Sequence, residues 1–70
     1  MKLTSEVFET MKVISPKRFK DMTLLEAEHN INKAIEIEEK IGDVDIDYVL
    51  TTDEKEIFAV YLDYKNAIID

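Results

Sequence analysis

The residues best suited to chemistry lie between Asp43 and Glu54, DVDIDYVLTTDE. Asp43, Asp45 and Asp47 offer carboxylates at alternate positions. Val49 can offer a backbone carbonyl, Thr51 a hydroxyl and Glu54 a carboxylate with two oxygens. Hard oxygen donors on a loop are what calcium takes, about six to eight at a time.

The order of these donors resembles the calcium loop of the EF-hand family. Asp43, Asp45 and Asp47 stand at its first, third and fifth places, and Val49 at the seventh. Leu50 is apolar at the eighth, Thr51 is at the ninth, and Glu54 stands where the bidentate glutamate belongs. The resemblance covers these twelve residues and implies a calcium ion held by Asp43, Asp45, Asp47, Val49, Thr51 and Glu54. Tyr48 stands where that family has a turn-forming glycine with φ > 0, and Gly42 and Lys55 flank the loop. The bland alternative for the same residues is a solvated acidic connector, pinned to the core by Val44, Ile46, Tyr48 and Leu50.

Other candidates are plainer. His29 is the lone histidine, and helical spacing points it away from Ile31 and Ile35. It is expected in solvent, with no second ligand to make a metal or catalytic site. Glu26, Glu28, Glu36, Glu38 and Glu39 form an acidic surface on one helix. Carboxylates do acid–base work only inside a cleft that perturbs them, and a domain this small has little room for one. Glu38 sits at the rim of the apolar stripe, where a lysine or arginine from the first segment or from a partner would meet it. Tyr48, Tyr61 and Tyr64 are tyrosines with an apolar body and a polar tip. The partner-facing set expected from the sequence is Glu28, Glu36, Glu38, Glu39, Tyr48 and Tyr61. The basic cluster Lys12, Lys17, Arg18 and Lys20 is expected in an exposed turn, balancing the acidic helices.

These side chains must be positioned by helices. The central one runs from Leu24 to Ile41. Thr23 and Glu26 have capping-box spacing at its start, and Gly42 can take the left-handed conformation that ends it. Leu24, Ala27, Ile31, Ala34, Ile35 and Ile41 share its apolar face. A first helix from Ser5 to Ile14 has Thr4 as its cap, with Leu3 and Phe8 as a hydrophobic staple. Pro16 ends it and opens a short turn through Phe19, so that Phe19 and Met22 close the corner.

The last third reads two ways. Residues 43–50 alternate aspartate with apolar side chains as far as Tyr48, and residues 57–64 are rich in strand formers, which would make a hairpin. Thr51 and Thr52, followed by the acids Asp53 and Glu54 near the positive end of a helix dipole and with Thr51 and Glu54 at capping-box spacing, predict instead a helix from Asp53 to Ile69. No glycine or asparagine serves a tight hairpin turn near Asp53–Lys55. The helix is the preferred reading. Its face is Ile57, Val60, Tyr61, Tyr64 and Ile68, with Phe58 and Leu62 at the edge and Asp63 on the far side. The expected fold is therefore all-α, a small three-helix bundle formed by residues 1–70 as one domain. The alternative is α+β, two helices packed on a C-terminal β-hairpin.

Composition bounds the function. The chain has 70 residues, no cysteine and 46% hydrophobic residues. A domain of this size buries only roughly 60% of its unfolded surface, and no disulfide or thiolate zinc site can support it. Its net charge is −7, divided into +3 over residues 1–20 and −10 over residues 21–70. Direct nucleic-acid binding is not expected, because phosphate contacts need clustered positive charge. No apolar run reaches the ~18 residues of a membrane span, and Glu6, Glu9 and Lys12 interrupt any apolar leader.

The expectation is a cytoplasmic non-enzyme without a cofactor, unless calcium fills the acidic loop. It would be a small regulator or inhibitor whose acidic helical face binds a protein with a basic surface, in one version by mimicking nucleic acid. A further alternative is a structural subunit or homodimer that buries the apolar excess of the last helix. The lysine-, isoleucine- and acid-rich composition looks like that of small proteins from AT-rich bacteria or their phages.

Overall fold

Each helix opens on, or directly after, a hydroxyl residue or a proline, as the local sequence predicts. The computed structural model describes residues 1–41 and 51–69. It contains α1 (Ser5–Ile14), α2 (Pro16–Phe19), α3 (Leu24–Ile41) and α4 (Thr52–Ile68), with no strand among the described residues. The fold is an all-α bundle in which the main helices are α1, α3 and α4. The hairpin alternative is overturned, because residues 57–64 lie inside α4. The Gly42 helix stop falls outside the described residues.

The decisive local feature is the start of α4. Thr51 is extended, its hydroxyl accepts the Glu54 backbone N–H at 3.2 Å, and Glu54 Oε1 accepts the Thr51 N–H at 2.9 Å. This is the reciprocal capping box that the spacing predicts, and it satisfies two of the N–H groups a helix start leaves open. At α3 the pairing differs in one respect. Thr23 Oγ1 accepts the Glu26 N–H at 3.2 Å, but Glu26 Oε1 takes the Thr23 hydroxyl rather than its backbone N–H.

At α1, Thr4 Oγ1 accepts the Val7 N–H at 3.3 Å, and both staple residues, Leu3 and Phe8, are buried. α1 stops at Ser15, whose N–H still reaches the Met11 carbonyl at 2.9 Å but which precedes proline and leaves the α region. Pro16 then occupies the first position of α2, so the predicted turn is a single helical turn.

The core is Leu3, Phe8, Met11, Phe19, Ala27, Ile31 and Val60, with Met22, Leu24, Ile35, Tyr61, Tyr64 and Ala67 packed around it. Phe19 meets Phe8 edge to face at 6.0 Å between ring centroids, a geometry that sets positive ring edge on negative ring face. Phe19 and Met22 thus close the corner as expected. α3 packs chiefly on α4, and α1 packs on α4 and touches α3, so the three share one core. The fully buried Ala27 and Ala34 bring small side chains to the inner face of α3, which lets a neighbouring helix come close.

One feature of α4 corrects the sequence expectation. Asp63, placed on the outer side, is 6% exposed, whereas Ile68 and Leu62 are 50% and 57% exposed. The buried face is turned toward Val60, Asp63 and Ala67, which share a helical stripe. A carboxylate can face inward there because a guanidinium from α2 waits for it.

Candidate interaction surface

Arg18 lies on the one-turn helix α2, held at the corner by Pro16 and the buried Phe19. Its Nη1 donates to Asp63 Oδ2 on α4 at 2.5 Å and to Ser15 Oγ at 3.2 Å, while Nε lies 3.8 Å from Glu56 Oε1. Glu56 and Asp63 are two turns apart on α4, so both reach the same guanidinium. Asp63 is the one buried charged residue among those described. A buried carboxylate must be paired and hydrogen-bonded to be tolerated, and Arg18 does both. The basic cluster thus balances the acidic helices partly through a structural ion pair. Of its other members, Lys17 and Lys20 are exposed, whereas Lys12 pairs with Glu9 at 3.6 Å and sits over the Phe8 ring.

A second polar cluster joins α3 to α4. Glu38 lies 3.7 Å from Lys65 Nζ through one oxygen and accepts the Tyr61 hydroxyl at 3.5 Å through the other. Lys65 Nζ in turn stands 4.3 Å from the Tyr61 ring centroid, within cation–π range. The cation at the rim of the α3 stripe therefore comes from α4 rather than from the first segment.

A third set straps the N-terminal residues to α3. Glu28 Oε1 accepts the Leu3 N–H at 3.0 Å. Asn32, one turn on, accepts from the Met1 amine at 2.7 Å and donates to the Met1 carbonyl at 3.2 Å.

The expected partner-facing residues consequently divide. Glu28, Glu38 and Tyr61 are half-buried and engaged within the bundle. Glu36 and Glu39 are exposed on α3 and make no ion pair among the described residues. Tyr48 lies outside the described residues, as do Asp43, Asp45, Asp47 and Val49 of the calcium set. The two members of that set that are described, Thr51 and Glu54, both serve the α4 cap. No group of three or more His, Asp or Glu side chains arranged to hold a metal is present among the described residues. His29 is exposed, as its spacing predicts.

Sequence reasoning missed the inward carboxylate of Asp63 and the clamp of Asn32. Asp63 carried a readable signal, since it lies three residues after Val60 and four before Ala67 on one stripe. Asn32 carried none.

The helix ends reveal where the charge is concentrated. Residues 36–56 span the end of α3, the connection and the start of α4, and hold nine acidic and two basic residues. The remainder holds seven of each, so the entire net charge of −7 belongs to this segment. Arg18 and Lys65 reach into it from outside, taking Glu56 and Glu38. Glu36, Glu39 and Asp53 remain exposed. Among the described residues no helix is long and apolar enough to cross a membrane. No protein-family model matches the chain, and neither a curated protein nor a solved structure does.

Proposed function

We propose that this protein is a small, non-enzymatic interaction module that binds the basic surface of another protein through its acidic end. The observation that carries this reading is the confinement of the whole net charge to residues 36–56, with Glu36, Glu39 and Asp53 exposed there. A field of one sign on one part of a surface speeds encounter with the opposite sign and selects against like-charged partners. Its role would be that of a cytoplasmic regulator or inhibitor of bacterial or phage type. In the sharper version, the carboxylates occupy a groove meant for nucleic-acid phosphates.

Affinity capture of the tagged protein from its source lysate, eluted with a salt gradient, tests this. The expected result is a stoichiometric partner released by moderate salt and lost in the Glu36→Gln/Glu39→Gln double variant. Displacement of that partner by DNA would support mimicry. Equal retention by the double variant would overturn the reading.

A specific feature of α4 favours a second reading, self-association. Leu62 and Ile69 fall along one outward stripe, 57% and 76% exposed, with the half-buried Phe58 one turn before Leu62. A copy of the chain could cover them. Light scattering across a concentration series is expected to show dimers on this reading, and a strict monomer would end it.

A further inference from the structure

We draw no further inference here: the strongest candidate, the open cleft at the α1–α2 corner lined by Ser15, Pro16, Lys17 and Arg18, carries nothing, because its guanidinium is already committed to Asp63, Glu56 and Ser15 and nothing in the structure points to a ligand.

Discussion

Two of the ion pairs that join helices among the described residues, Arg18–Asp63 and Lys65–Glu38, use the same chemistry in different surroundings. Arg18–Asp63 fastens α2 to α4 with an aspartate side chain that is 8% exposed. Lys65–Glu38 fastens α4 to α3 with side chains 46% and 31% exposed. Water screens the second pair and offers each partner an alternative, so such contacts contribute about 0–1 kcal/mol. The first pair has no such alternative on the carboxylate side. Its net value over a well-packed apolar pair is small, yet losing one partner strands a buried charge. Burial therefore decides what an ion pair does: one makes the corner intolerant of change, the other trims a half-exposed rim.

That contrast can be broken most severely at Arg18. Arg18→Ala is expected to destabilise by about 3 kcal/mol, within the range for removing one partner of a buried pair. At roughly 4–8 °C per kcal/mol for a domain this size, thermal unfolding followed by circular dichroism should show a drop above ~10 °C. The double change Arg18→Met/Asp63→Leu should recover most of that loss. If Arg18→Ala melts like the parent, Asp63 is not the buried group described here.

A smaller effect tests the local end of the same helix. Thr51→Ala removes the acceptor for the Glu54 N–H and is expected to cost about 1 kcal/mol. Urea denaturation should show a shifted midpoint with an unchanged slope.

The exposed pair comes third. Glu38→Ala is expected to cost under about 1 kcal/mol, and the difference should shrink as salt is raised. An unchanged melting temperature at low salt would count against an intramolecular role for Glu38. Smallest of all, Glu36→Gln/Glu39→Gln should melt within about 0.5 kcal/mol of the parent, so that any loss of partner capture reports the surface and not the fold.

Much of this molecule is written locally. Thr4, Thr23 and Thr51 each meet a residue three positions on, and Pro16 acts on its immediate neighbour. Such contacts depend on spacing along one helix and can be read from the residues alone, as could the exposure of His29 and the choice of helix over hairpin for residues 57–64. The confinement of charge to residues 36–56 was equally present in the sequence. It gained meaning once the helix ends were known, because they showed that this segment is the end of α3, the connection and the start of α4.

The tertiary structure alone decided which carboxylates are spent inside the bundle and which remain outside. Asp63 meets Arg18 across 45 positions, Glu38 meets Tyr61 across 23 and Glu28 meets Leu3 across 25. Periodicity tells which residues share a face, but the rotation of that face is set by its neighbours. Here α2 presents a guanidinium to α4, and α4 turns to bury Asp63 against it while leaving Leu62 and Ile68 toward solvent. The sequence determined the helices and the sign of the surface. Packing determined the phase of α4, because the guanidinium that makes a buried carboxylate tolerable comes from a distant part of the chain.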